Sequence, residues 1–236
     1  MMRVGAIIFS RMSSERLPGK AMMDISGKTL LNRVIERTKC VKLIDHICLA
    51  TSTNPEDDII ESTANSFGID VFRGSLNDVT TRAVEASNHF NYDSFLRLCG
   101  DRPFLDGNIY NDLIGIHKKN QCDITTNIFP RTVPPGLTGE VIKLEALKKS
   151  LSLTDNHIDR EHVTRYIYKN PSKFSITNID CFTNKDLIKL RLVVDDEIDL
   201  NRSRWITKKL NERKCEFNTM EIIDLAKEWE KKIKQV

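Results

Sequence analysis

Three cations, Arg11, Arg16 and Lys20, stand in the stretch RMSSERLPGK (residues 11–20), directly after the apolar opening MMRVGAIIFS. Only Glu15 opposes them, and a Pro-Gly step with two serines, Ser13 and Ser14, reads as a loop. Arginine forks and a lysine ammonium suit a polyphosphate. Carboxylates follow two later apolar runs: Asp101 in GDRP after SFLRLC, and Asp195 with Asp196 after LRLVV. Carboxylates on rigid strand ends suit a divalent cation that bridges such a phosphate. The set fits magnesium-assisted chemistry on a nucleoside triphosphate. Each piece also has a plain structural explanation: a solvated loop, a turn cap for Asp101, a helix N-cap for Asp195. Their joint placement at one sheet edge favours the chemical reading. No G-x-x-x-x-G-K-[ST] occurs, which disfavours a P-loop enzyme.

The elements that must position these residues alternate in type. VGAIIF (4–9) is apolar throughout, as a strand covered on both faces should be. TLLNRVIERTK (29–39) places Leu30, Leu31, Val34 and Ile35 on one helical stripe. HICLAT (46–51) is a strand; Asn54 and Pro55 then offer a cap and first turn. Ile59, Ile60, Ala64 and Phe67 form that helix's expected inner face, and Gly68 ends it. IDVF (69–72) and SFLRLC (94–99) read as strands, and residues 76–90 and 106 to about 119 as helices. This rhythm predicts an α/β fold with a mostly parallel sheet, with helices on both faces. In such sheets ligands bind beyond the carboxyl ends of the strands, where these polar residues fall.

The second half is less regular. CDITTN (122–127) is a candidate strand, and PRTVPPGLTGEVI (130–142) a loop that ends in one. LEALKKSL and REHVTRYIYKN read as helices, FSITNI and LIKLRLVV as strands, and two helices close the chain. The last carries Ile222, Leu225, Ala226, Trp229 and Ile233 on one stripe. No repeat or low-complexity linker appears, so residues 1–236 are expected to form one domain, with 130–180 as an inserted or decorating subregion.

Composition excludes several classes. With 236 residues, 40% hydrophobic and 29% charged, the profile is that of an ordinary soluble domain. A net charge of +3 without a basic stripe gives no case for nucleic acid. No run approaches the ~20 apolar residues of a membrane span, and no signal peptide is visible. Six scattered cysteines, Cys40, Cys48, Cys99, Cys122, Cys181 and Cys215, contain no C-x-x-C pair. That pattern suits buried thiols in a reducing cytoplasm better than zinc or a disulfide framework.

FSRMSSERLPGKAMMDISGKTLLNRVIER resembles the opening of the nucleotide-sugar cytidylyltransferases. The subgroup it resembles most is named for a spore-coat polysaccharide biosynthesis protein, with the synthetases of CMP-Kdo and CMP-sialic acid as relatives. That subgroup opens on R-M-x-S-x-R-L-P-G-K followed by a G-K-x-L-L helix. LATS (49–52), VFRGSLNDV (71–79), LCGDRPFLD (98–106), GLTGEVI (136–142), DREHVTRYIYKNP (159–171) and LRLVVDDEIDL (190–200) extend the similarity over about residues 3–210. The resemblance implies a three-layer Rossmann-like nucleotidyltransferase fold. It maps triphosphate binding onto Arg11, Arg16 and Lys20, beside Ser13 and Ser14. It maps magnesium onto Asp101 and Asp195. Relatives often read V-D-T-P-E-D-L in the late stretch. Here it is VDDEIDL (194–200), so Asp195 survives, the Thr-Pro turn does not, and Glu197 stays open as an alternative ligand.

The implied reaction is attack by a sugar hydroxyl or sugar phosphate on the α-phosphorus of CTP, with pyrophosphate leaving. Arg11, Lys20 and Asp101 are the expected catalytic groups. Ser75, Asp78 and Arg82 are expected near the base or ribose. Arg160, Glu161 and His162 are expected to meet the acceptor. Relatives often pair through second-half elements, so a cytoplasmic homodimer is expected, with CTP and a sugar acid or sugar phosphate as its partners. Three rivals stay open: a guanylyltransferase acting on a sugar 1-phosphate, a glycosyltransferase that consumes a nucleotide-sugar, and a non-catalytic nucleotide binder.

Overall fold

The computed structural model describes residues 2–182, 184, 186–213 and 218–233; Cys215 lies outside them. Its strands are β1 (Val4–Phe9), β2 (His46–Ser52), β3 (Asp70–Gly74), β4 (Ser94–Cys99), β5 (Ile124–Thr126), β6 (Glu140–Lys143) and β7 (Ile176–Asn178). They form one sheet in the order β3-β2-β1-β4-β6-β5-β7. β1 pairs in parallel with both β2 and β4, and β6 runs antiparallel to both its neighbours. The carboxyl ends of β1 and β4 therefore open side by side. The start of β6 meets that same edge.

Both sheet faces are covered, which is why the central strands are apolar throughout. Val4, Ala6 and Ile8 pack with α1 (Leu30–Thr38), α2 (Asp58–Ser66) and α4 (Gly107–Asn120). Ile7 and Phe95 point the other way, toward α3 (Val79–His89), α5 (Leu144–Ser152) and α7 (Arg165–Lys169). A third cluster lies between loop residues Val133 and Leu137 and the closing helices α8 (Glu197–Arg213) and α9 (Thr219–Ile233). On α9, Ile222, Ile223, Leu225 and Ala226 are buried; Trp229 meets Trp205, with ring centroids 5.7 Å apart. No helix among the described residues is long and apolar enough to cross a membrane.

The parallel sheet, its covering helices and nearly all first-half elements match the sequence expectations. LIKLRLVV does not form a strand. Leu187–Lys189 is a single 3-10 turn, and the chain that follows does not join the sheet. Its backbone bonds go to separate loops: Leu192 N to Pro135 O (2.8 Å) and Val194 N to Asp101 O (2.8 Å). Its apolar residues report burial, Leu187, Leu190 and Leu192 in the third cluster and Val194 in the first, not a ladder. Gly136 permits the crossing: at φ +110° it lies so close that a Cβ would stand 2.4 Å from Leu192 O.

Other expectations also need correction. REHVTRYIYKN breaks into α6 (His157–Glu161) and α7, with residues 162–164 turning between them. α2 follows a 3-10 turn, Pro55–Asp57, and Asn54 makes no side-chain cap. Ile59 is 46% exposed rather than on the inner face; the buried residues of α2 are Ile60 and Ala64. Cys40 is exposed, at the end of α1.

His117 on α4 is fully buried, with Nδ1 3.1 Å from Thr125 Oγ1 and Nε2 3.0 Å from Ser94 Oγ. Burial, followed by the charge of Lys143, pushes its pKa down to about 4. An unfolded histidine titrates near ~6.5, so the folded state binds fewer protons between these values. Stability from the neutral ring is complete above about pH 6.5 and is lost as pH falls toward the folded pKa. Between pH 7 and pH 5, urea titrations should show His117→Gln losing about 2 kcal/mol less stability than the parent. Equal losses would show that His117 does not set this slope.

Candidate active site

The loop after β1 is tied down from several sides. Met12 O accepts from both Ser14 N and Gly19 N at 2.9 Å, which closes the 12–19 segment on itself. Met12 N donates to Asp57 Oδ1 at 2.7 Å. Asp57 is fully buried, and its Oδ2 accepts from Thr51 Oγ1 (2.8 Å), Ser52 N (3.1 Å) and Ser52 Oγ (2.5 Å). Burial works to raise its pKa, but these hydrogen bonds outweigh it and leave the carboxyl below its ordinary range. The loop after β4 packs directly alongside. Gly100 N donates to Phe9 O at 2.8 Å, and a Cβ at Gly100 would stand 2.8 Å from Ser10 Oγ.

Lys20 therefore reaches both acidic segments. Its Nζ donates to Val194 O at 2.7 Å and to Asp195 Oδ1 at 3.1 Å, and lies 3.8 Å from Asp101 Oδ2. Arg16 and Arg191 approach Asp195 Oδ2 at 3.1 and 3.3 Å. Burial would raise the Asp195 pKa; the Lys20 hydrogen bond and the charges of Lys20, Arg16 and Arg191 instead carry it below the ordinary value. Asp199 braces this carboxylate from behind: its Oδ2 accepts from Asp195 N at 3.1 Å and from Arg191 at 2.8 Å, and its Oδ1 accepts from Arg202 at 2.6 Å. Glu197 is exposed on the first turn of α8, apart from these contacts, and Asp196, not Asp195, accepts from Asp199 N as the helix cap.

Asp101 Oδ1 is buried and has no hydrogen-bond partner; its nearest cation, Arg102 Nε, stands off at 3.8 Å. An unfilled, buried carboxylate oxygen beside a second carboxylate is what a hard divalent cation would use. Among the described residues no group of three or more His, Cys, Asp or Glu forms a self-sufficient metal site. Two protein carboxylates completed by phosphate oxygens and water is the pattern suited to magnesium.

Lys20 and Asp101 face a pocket of about 490 Å³, whose lining does not include Asp195; that carboxylate stands behind Lys20 and Arg16. Arg11, Ser14, Arg16, Lys20 and Asp101 line the pocket from the strand ends, and Arg82, Glu161 and His162 from the helical side. Arg11 bonds Glu161 (3.3 Å) and Leu76 O (3.4 Å). Arg82 is 2% exposed; Nη1 donates to Ser75 O at 2.6 Å, while Nε has no partner. Burial, then the charge of Arg11, lowers its pKa to about 10. Ser75, Asp78 and Arg160 do not line the pocket. Asp78 caps α3 through Thr81 N (2.8 Å) and pairs with Arg160 (2.8 Å), whose other amino group takes Asp155 (2.9 Å). Ser13 Oγ is buried without a partner and lies off the pocket wall.

A family model described as Cytidylyltransferase matches residues 5–230. This chain belongs to the cytidylyltransferase family.

As a member, it is a nucleotidyltransferase. The cytidylyltransferase is 30% identical to the spore coat polysaccharide biosynthesis protein SpsF of Bacillus subtilis over 214 residues, 88% of this chain and 87% of that one. It is 31% identical to 3-deoxy-manno-octulosonate cytidylyltransferase of Synechococcus elongatus, over 54% of this chain and 52% of the relative. Among solved structures, a cytidylyltransferase from Leptospira borgpetersenii superposes with a TM-score of 0.87 at 31% identity, covering 99% and 96% of the two chains. A CMP:2-keto-3-deoxy-manno-octonic acid synthetase complexed with CTP shares the fold, with a TM-score of 0.69 at 16% identity over 88% and 99%.

Sequence reasoning assigned no role to Asp57, Asp199, Arg191, Arg97 or Glu140. Asp57 reads as one more acid in the first turn of a helix, and nothing local shows that it faces the 11–20 loop. Asp57→Asn should cost about 1 to 3 kcal/mol in urea titration and speed tryptic cleavage after Arg11 and Arg16. An unaltered digest would show that other contacts hold the loop.

Proposed function

We propose that this cytidylyltransferase transfers CMP from CTP to a sugar acid or sugar phosphate, releasing pyrophosphate, in the synthesis of a surface polysaccharide or related glycan. The observation that carries this reading is the Lys20 ammonium between Asp101 and Asp195 at the pocket that also receives Arg11 and Arg16. The names of the Bacillus and Synechococcus relatives support the polysaccharide and sugar-acid parts. The nucleotide follows from the family and from the CTP complex of the synthetase that shares the fold.

In this reading an acceptor oxygen bonds to the α-phosphorus, the bond from the α-phosphorus to the α,β-bridging oxygen breaks, and its electron pair leaves on that oxygen with pyrophosphate. Charge grows on the equatorial and leaving oxygens. Arg11 and Arg16 neutralise the leaving group, and Lys20 meets the phosphoryl oxygens once its carboxylates are otherwise engaged. Asp101 and Asp195 would hold magnesium, which supplies positive charge to the triphosphate and lowers the pKa of a nearby hydroxyl. A phosphate acceptor needs no base. Holding donor and acceptor in one pocket supplies much of the rest. Magnesium as the metal, and a homodimer as the working form, belong to the same proposal.

A pyrophosphate-release assay over four nucleoside triphosphates, with sugar acids and sugar phosphates, should give turnover with CTP. Lys20→Ala should lower kcat/KM for CTP about 100-fold or more, and Asp101→Asn should abolish metal-dependent turnover, both with near-parental melting temperatures. Parental rates in either variant, or preference for another base, would overturn the reading.

A further inference from the structure

We propose that Arg97, braced by Glu140, forms an anion subsite on the floor of the pocket, and that this subsite takes the carboxylate or phosphate of the acceptor. This inference rests on the CMP-transfer reading and names the group that recognises the second substrate.

Alternation along β4 puts Arg97 on the same sheet face as Phe95 and Cys99, opposite Leu96 and Leu98. On that face Arg97 lines the same pocket as Lys20 and Asp101, with 19% of its side chain exposed. It opposes Glu140 directly in the antiparallel register of β4 and β6. Nη1 contacts Glu140 Oε2 at 2.5 Å, while Nε is buried with no hydrogen-bond partner. Glu140 is 2% exposed, and its Oε1 accepts from Tyr168 OH at 2.8 Å. That hydroxyl also lies 3.2 Å from Thr126 Oγ1. Residues of β4, β5, β6 and α7 thus converge to hold one guanidinium against the pocket.

Stability does not call for this arrangement. A buried ion pair between neighbouring strands rarely outperforms apolar residues of the same volume. A planar guanidinium with unfilled donor capacity is instead suited to an oxyanion. Its place along the strand agrees. Arg97 lies within β4 and Asp101 in the turn beyond its end, and both line one pocket, so an acceptor held there can reach from the metal-side carboxylate to the guanidinium. Arg160 is poorly placed for the task, because Asp78 and Asp155 hold it outside the pocket lining.

The test is calorimetry on protein saturated with magnesium and α,β-methylene-CTP, titrated with pyruvate as carboxylate probe and inorganic phosphate as phosphate probe. The parent should bind one further anion, and the tighter probe identifies the acceptor's charged group. Arg97→Gln should weaken that binding at least tenfold while the analogue's affinity stays within about twofold. Because Arg97→Gln strands Glu140, the double variant Arg97→Met/Glu140→Met provides a second route; it should keep the parental melting temperature and show the same loss. No further anion on the saturated parent, or undiminished anion binding in either folded variant, overturns the subsite. Failure of the parent to bind the analogue at all overturns the CMP-transfer reading, and this inference with it.

Discussion

Two carboxylates from distant parts of the chain would repel one another in a half-buried site unless a positive charge stood between them. Lys20 supplies that charge: its ammonium reaches Asp195 and Val194 O directly and stands within ion-pair range of Asp101. The arrangement holds together without a ligand, yet leaves Asp101 Oδ1 buried and unfilled. A site of this kind is organised before substrate arrives and still has somewhere for incoming positive charge to go. Preorganisation of that sort is the main way a phosphoryl-transfer site lowers its barrier, since little reorganisation remains for the moment of reaction.

The surrounding fold serves that contact in layers. Parallel pairing of β1 with β4 brings the 11–20 loop beside Gly100 and Asp101. A second layer of buried carboxylates then holds the first in position. Asp57 fixes the backbone of the cationic loop, and Asp199 fixes both the backbone of Asp195 and the Arg191 that partners it. Neither acid lines the pocket. Each has its lone pairs satisfied by several donors, which is the condition for a carboxylate to stay charged away from water.

Legibility in the sequence followed the range of the interactions. Hydrophobic period identified β1, β2, β4 and the helices between them, because burial on two faces leaves an unbroken apolar run. The same signal misread LIKLRLVV, whose leucines are buried in the cluster formed with α8 and α9 while its backbone bonds scatter over separate loops. Apolarity reports that a segment is inside; it does not report which backbone it pairs with. REHVTRYIYKN has helical composition throughout, yet turns at 162–164 so that α6 can meet α3 through the hydrogen bond from Thr80 to Arg160 O.

The amino-acid order by itself determined the type of protein: an α/β sheet, a cationic loop after the first strand, acids after two later apolar runs, and a resemblance to the cytidylyltransferases. Those features are local, written in periodicity, turn residues and contiguous motifs. Only the tertiary structure decided that Arg160 pairs with Asp78 outside the pocket lining while Arg97 faces inward on Glu140, and that Asp57 and Asp199 anchor the site. Each of those facts depends on which side chain from a remote segment arrives within about 3 Å. Partner choice at that range is set by strand register and crossing loops, which no short window of residues encodes.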